Sequence, residues 1–188
     1  MSDSNEIYIF MKKKINMLDK DEPYSRAACA KLRRAAGKKP GASMDIMDIM
    51  LMGASRKWDS INGEPSFAEW AVHTALTMYA LHRQGKDNSM NAERISFGTA
   101  AAWLVKKDEA KMDSVRRRFN VVATALNLND LAHHVRSMVR MFRADDIKMD
   151  YPLFAKDLFL FQLPGGAEKI RLKWSERFYG NIDIKQAD

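Results

Sequence analysis

The chain predicts an all-α protein of about eight or nine helices, arranged as two small helical bundles. Three observations point there. Apolar residues recur at three and four positions through most of the 188 residues, the spacing of a single helix face. No series of alternating apolar and polar runs marks strands. Ser, Asp, Pro and Gly fall at the ends of the periodic stretches, where helices start and stop. The break at Lys106-Lys107-Asp108 sets the expected division, with 1–105 as an N-terminal bundle and 106–188 as a C-terminal one.

Ile7, Phe10, Met11, Ile15 and Leu18 predict a first amphipathic helix over Glu6 to Leu18, with Lys12, Lys13 and Lys14 on its solvated face. Asp21 and Pro23 start a second, Tyr24 to Ala36, since proline in the first turn forfeits an amide that has no helical partner. Gly37 stops it. Ser43 precedes MDIMDIMLM, a short helix apolar nearly all round and so expected to be buried. Gly53 to Pro65 is a connection in which Trp58 anchors to the core. Ser66 and Glu69 have capping-box spacing and open a helix through Leu81. A polar loop, Gly85 to Asn91, leads to a helix capped by Ser96 and carrying Phe97, Trp103 and Leu104. In the next segment Met112, Val115, Phe119, Val122 and Leu126 face inward. Asn129 caps the helix that follows, whose core stripe is Leu131, Val135, Met138, Val139 and Phe142. Asp150-Tyr151-Pro152 starts a helix over Leu153 to Leu163. Pro164-Gly165-Gly166 turns the chain into a last helix, Ala167 to Tyr179, before Gly180 and a polar tail.

Hydrophobic residues make up 46% of the chain, enough to bury a core and to exclude a disordered chain. Lys and Arg exceed Asp and Glu by 31 to 24, a net charge of +7. The one cysteine, Cys29, allows no intramolecular disulfide and no zinc constellation. The opening MSDSNEIYIF lacks a signal-peptide pattern, and no run approaches the roughly 18 apolar residues of a membrane span. A cytoplasmic protein without membrane contact is expected.

Catalytic constellations are sparse. His133 and His134 are adjacent, so they point about 100° apart on a helix and do not form the i, i+4 pair a metal needs. His73 and His82 lie on one helix, again without ligand spacing. Asp45 and Asp48 share a face but sit in a first turn, where acids simply suit the helix dipole. Cys29 fits a small core residue in an Ala-rich helix. Neither the phosphate-loop nor the dinucleotide glycine pattern occurs. The expectation is a protein that is not an enzyme and uses no cofactor or metal.

Clustered cations are the positive signal. Ser114 to Ala144 holds six arginines and one acid, Asp130. Arg136, Arg140 and Arg143 recur at four and three residues, opposite the core stripe, and form a row. Arg117 and Arg118 point outward from the preceding helix, with Arg116 at its boundary. A second cluster, Arg26 to Lys39, holds six positive residues and no acid, among them Arg33, Arg34, Lys38 and Lys39. The guanidinium fork matches phosphate oxygens, so this pattern fits a protein that holds a nucleic-acid backbone. A free-standing helical DNA-binding transcription regulator is the rival reading, with Asn129 to Ala144 as recognition helix. The arginine row lacks a neighbouring Asn or Gln to read adenine, which counts against it. A helical nuclease using His133 is a third.

The ordered set AKLRRA, Trp58, HTALTMYALH, RISFGTAAAWL, RRRFN, LAHHVRSMVRMFR and IKMDYPLFAKDLF resembles the CasB family, the small subunit of the type I-E CRISPR Cascade complex. The likeness runs from about Arg26 to Tyr179. It implies a non-enzymatic helical subunit present in two copies, each meeting the other as well as the backbone and large subunits. It also implies basic faces that help to hold the hybrid of crRNA with target DNA, and the displaced strand, in antiviral defence. Carried over by motif, AKLRRA supplies Arg33 and Arg34, RRRF supplies Arg116, Arg117 and Arg118, and the next helix supplies Arg136, Arg140 and Arg143. One feature departs from the family pattern, a longer N-terminal segment, Met1 to Asp21, and the resemblance implies no function for His133-His134.

Overall fold

Residues 2–183 are described by a computed structural model of the chain. Among them, nine α-helices and three short 3-10 turns carry the fold, joined by loops that contain only two isolated β-bridges. The helices are α1 (Asp3–Leu18), α2 (Pro23–Ala35), α3 (Met47–Leu51), α4 (Phe67–His82), α5 (Phe97–Lys107), α6 (Met112–Ala123), α7 (Leu128–Ala144), α8 (Tyr151–Phe161) and α9 (Gly166–Asp183). This is the all-α architecture that the apolar spacing predicts. The last residues of the expected polar tail, 184–188, lie outside the described part.

Helix ends follow the capping chemistry. Ser66 accepts from the Glu69 amide at 3.2 Å while the Glu69 carboxylate accepts from the Ser66 amide at 2.7 Å, a complete capping box. Ser96 caps α5 through the Thr99 amide. Asp150 caps α8 through the Leu153 amide at 2.8 Å, and its other oxygen accepts from the Arg94 amide, also at 2.8 Å. The cap of α7 is Asn127, two residues earlier than expected: its side chain accepts from the Asp130 amide at 3.0 Å, and Asn129 falls within the first turn. An extended backbone at Asn127 makes it the last residue before the helix.

Two further expectations are corrected. Leu126 is 88% exposed rather than buried, because α6 ends at Ala123 and helical spacing no longer applies beyond it. MDIMDIMLM is not buried all round. It breaks into a 3-10 turn and one α turn that bury Ile46, Ile49 and Met50 and leave Met44 and Met52 exposed.

One buried cluster runs through the molecule. Phe97 is its hub, with ring centroids 6.0 Å from Phe119, 5.8 Å from Phe142, 5.9 Å from Phe154 and 4.8 Å from Trp174, so that α5 meets α6, α7, α8 and α9 through one side chain. At Gly98, two residues after the Ser96 cap, α9 lies so near that a Cβ would overlap the Trp174 carbonyl. Buried Asp157 on α8 accepts from Trp174 Nε1 at 2.8 Å and from Lys173 Nζ at 2.6 Å. Helices from either side of position 105/106 share this core, α1 lying along α8 and α5 along α9. Within the N-terminal segment, Ile7, Met11, Ile15 and Leu18 are fully buried. Arg83 then ties the end of α1 to α4 by donating to the Leu18 and Asp19 carbonyls at 2.6 and 3.0 Å.

α4 occupies the middle of the opposite side, with α2 on one flank and α7 on the other. At their ends, Arg143 Nη1 of α7 donates to the Gln84 side-chain oxygen at 3.0 Å and reaches the Leu81 carbonyl at 3.5 Å. At their beginnings, Trp70 and Asn127 line one shared cleft. The two helices therefore run side by side in the same direction.

Candidate nucleic-acid interface

The core stripe of α7 fixes its outward face. Leu131, Val135, Met138, Val139 and Phe142 are all fully buried, which leaves the positions between them for the arginine row. The row is graded. Arg140 is exposed and makes no hydrogen bond or ion pair among the described residues. Arg136 is half-buried, and its Nε has neither solvent nor a partner. Arg143, also half-buried, is held against the end of α4.

α6 lies against α7 and adds to that face. Arg118 Nε donates to Ser137 Oγ of α7 at 3.2 Å, and its Nη1 donates back to the Ser114 carbonyl at 3.2 Å. Arg117 is exposed and unpartnered. Arg116 sits in the open rather than at a boundary and pairs with Asp113 at 3.3 Å, one turn before it.

The α2 cluster divides. Arg34 pairs with Asp45 at 3.1 Å and Lys39 with Glu64 at 2.6 Å, both exposed pairs of the kind worth no more than about 1 kcal/mol. Arg33 and Lys38 have no such partner. Lys38 faces α7: Gly37, in a left-handed turn at φ +82°, is close enough that a Cβ on it would lie 3.6 Å from Arg136 Nη1. Arg33 lines a second depression with Arg26, Arg83 and Lys86, next to Gln84, the partner of Arg143. The fold thus brings cations from three separate segments around α7.

Between α4 and α7 lies a cleft of about 480 Å³, with Trp70, His73 and Thr77 on one wall and Asn129, His133 and Arg136 on the other. Lys38 sits at its rim. His73 is only 2% exposed, its Nε2 has no hydrogen-bond partner, and burial pushes its pKa down to about 4, so the ring is neutral at pH 7. The charge pattern alone does not mark these α4 residues. Trp70, His73 and Thr77 do follow one another at three and four positions, but α4 is apolar on nearly every side and shows no distinct outer face.

The remaining titratable candidates are placed as follows. His133 is exposed, and His134 pairs with Asp130 at 3.1 Å. Asp45 and Asp48 do not act together, since Asp45 is engaged by Arg34. Asp145 accepts from Lys111 at 2.7 Å, and Asp146 pairs with Lys86 at 2.5 Å. Cys29 is free and buried, and desolvation pushes its thiol pKa up, away from the thiolate a nucleophile needs. Among the described residues, no group of three or more His, Cys, Asp or Glu is placed to hold a metal ion. No helix among them is long and apolar enough to cross a membrane.

The family model described as CRISPR-associated protein Cse2 matches residues 28–179. No curated protein sequence matches the chain. Among solved structures, a CasB from Thermobifida fusca is similar at 29% identity and a TM-score of 0.74, covering 94% of this chain and 97% of its own. A CasB from Thermus thermophilus shares 19% identity with a TM-score of 0.70, over 96% of this chain and 99% of its own. A chain of a CRISPR RNA-guided surveillance complex has the same fold at 18% identity and a TM-score of 0.73, over 98% of this chain and 99% of its own.

Proposed function

This chain belongs to the Cse2 family of CRISPR-associated proteins, and we propose that it is a non-catalytic, strand-holding subunit of a CRISPR RNA-guided surveillance complex. Arg136, Arg140, Arg117 and Arg118, with Arg33 and Lys38 beside them, hold the sugar-phosphate backbone of the guide–target hybrid or of the displaced DNA strand. Other subunits of the complex and a second copy of the chain complete the groove. The single observation that carries this reading is the convergence of α2, α6 and α7 cations on one side of the molecule, with Arg140 and Arg117 unpartnered.

The mechanism is a matter of balance. Exchanging a DNA duplex for an RNA–DNA hybrid is nearly neutral in free energy, so contacts made only with the opened strands shift the outcome. Each phosphate neutralised contributes a sequence-independent, salt-sensitive increment. Base pairing then supplies sequence, and this subunit supplies retention. A sequence-reading regulator fits less well, because recognition helices read bases through their N-terminal residues. The cations of α7 begin only at Arg136, two turns into the helix.

The test is a titration of single-stranded and duplex DNAs of unrelated sequence across a salt series, beside an Arg136→Ala/Arg140→Ala/Arg143→Ala variant. The expected result is binding indifferent to sequence, with a log–log salt slope that falls by about two to three in the variant. Preference for one duplex sequence overturns the reading.

A further inference from the structure

The cleft between α4 and α7 is built unlike the open arginine face beside it. A polyanion's backbone needs only exposed cations, which Arg140 and Arg117 already offer. The cleft instead combines a cationic rim with a recessed neutral polar wall. Its volume of about 480 Å³ falls within the roughly 300–1,000 Å³ of sites that enclose a small ligand.

Its chemistry is ordered along α7. Arg136 lies seven residues beyond Asn129, so the two are about 10 Å apart along the axis. Lys38 joins the Arg136 end, because the adjacent Gly37 packs against that guanidinium. At the other end stand Trp70 and the side chain of Asn129, which makes no hydrogen bond of its own. His73 stands one turn after Trp70 on the same wall, buried, neutral and without a partner. Asp130 also lines this end. Its carboxylate is engaged, one oxygen accepting from the Leu126 amide at 3.1 Å and the other pairing with His134 at 3.1 Å. A second negative group is therefore unwelcome here, and an anion belongs at the Arg136–Lys38 end. Exposed His133 lies between the two ends.

We propose that this cleft takes one unstacked nucleotide of a single strand, its phosphate between Arg136 and Lys38 and its base against Trp70, within reach of Asn129 and His73. A bare phosphate uses only one end of the site. A nucleotide uses both, since an aromatic face accepts any base by stacking while amide and neutral imidazole groups hydrogen-bond its edge. The inference rests on the strand-holding role proposed above and adds to it a point of capture, where the strand is pinned at one nucleotide rather than merely attracted.

The experiment uses the full chain, with the histidine ring nitrogens labelled with ¹⁵N, and three probes: thymidine 5′-monophosphate, thymidine, and inorganic phosphate. The expected result is a saturable shift of the His73 resonances with the monophosphate, at concentrations at least tenfold below those at which either half acts alone. Arg136→Gln and Asn129→Ala each weaken the shift severalfold. Asn129 is exposed and unbonded, so its variant tests the cleft even where substitution of buried His73 prevents folding. Equal effects of phosphate and monophosphate reduce the cleft to an anion site and overturn the proposal, as does the absence of any shift. In the same samples, salt-dependent binding of a long single strand is followed in parallel. If it persists without a monophosphate response, the cleft inference alone fails; if it is absent too, the strand-holding role fails with it.

Discussion

The two sides of α4 solve different problems. Toward α5, α8 and α9 the interior is aromatic and closely matched: Phe97 meets four rings, Phe119 stacks on Phe178 at 4.4 Å, and even buried Asp157 has two donors. Toward α2 and α7 the same molecule leaves polar atoms without partners. His73 Nε2 on α4 and Arg136 Nε on α7, which line the cleft between those helices, are both buried and unbonded. Such groups lower stability, typically by 1–3 kcal/mol each. Trp58 Nε1 and Arg171 Nε are unbonded elsewhere, but His73 and Arg136 meet in one cleft beside the unpartnered Arg140, the arrangement on which the proposed binding role draws. One side is filled by interlocking rings, and the other leaves a cleft and unpartnered cations open to the binding proposed above.

The sharpest way to break that comparison is to damage the holding side and watch the binding side. Phe97→Ala removes the ring that joins five helices and should cost about 4 kcal/mol, which for a chain of this size lowers the melting temperature by about 10 °C. Calorimetry measures the loss, and DNA titration well below the transition measures binding. Unchanged affinity and salt slope in the folded fraction are expected. A weakened slope at full folding would show that the two sides are not separable.

Acid probes α4 first. His73 and His82 have pKa values pushed down to about 4 by burial, against an ordinary value near 6.5 in the unfolded chain. The unfolded state therefore binds more protons between those values, and stability rises with pH through that window. Full stability is present above about 6.5 and is lost as pH falls toward 4. Between pH 7 and 5 the loss is about 2 kcal/mol per histidine. Asp150, whose carboxyl is raised chiefly by burial, acts in the opposite sense near the acid end. Denaturant unfolding at pH 7, 6 and 5 checks the slope, and His82→Gln should halve it. A flat profile would mean that neither ring is held neutral.

How much of this was legible in the residues differs between the two sides in the same way. The holding side follows from local rules: the Ser66–Glu69 box, the Ser96 and Asp150 caps and the stripe of α7 lie where spacing puts them. The differences lie at helix ends. Spacing alone puts Leu126 on a face that α6 does not extend to, and gives Asn129 a cap that belongs to Asn127. The cationic side is visible as charge but not as arrangement. Arg33, Arg34, Lys38 and Lys39 look alike in sequence. Only tertiary packing pairs two of them with Asp45 and Glu64, 11 and 25 residues away, and turns Lys38 toward Arg136. Trp70 and His73 were hidden because a helix buried nearly all round shows no outer face to periodicity.

That split within the α2 cluster gives the finest test, and the smallest expected effect. An exposed lysine or arginine that already faces a carboxylate contributes less to the field felt by a polyanion, because the pair is nearly neutral beyond its own length and is screened further within about 8 Å at physiological salt. Arg34→Gln/Lys39→Gln should therefore change single-strand affinity less than twofold. Arg33→Gln/Lys38→Gln, with the same change in net charge, should weaken it several times more and flatten the salt slope by one to two. Neither double variant should shift stability by more than about 0.5 kcal/mol, since all four side chains lie at the surface or near it. Equal losses from the two variants would mean that net charge alone draws the strand. Unequal losses in this order would mean that the geometry around α7 decides which cations the backbone meets.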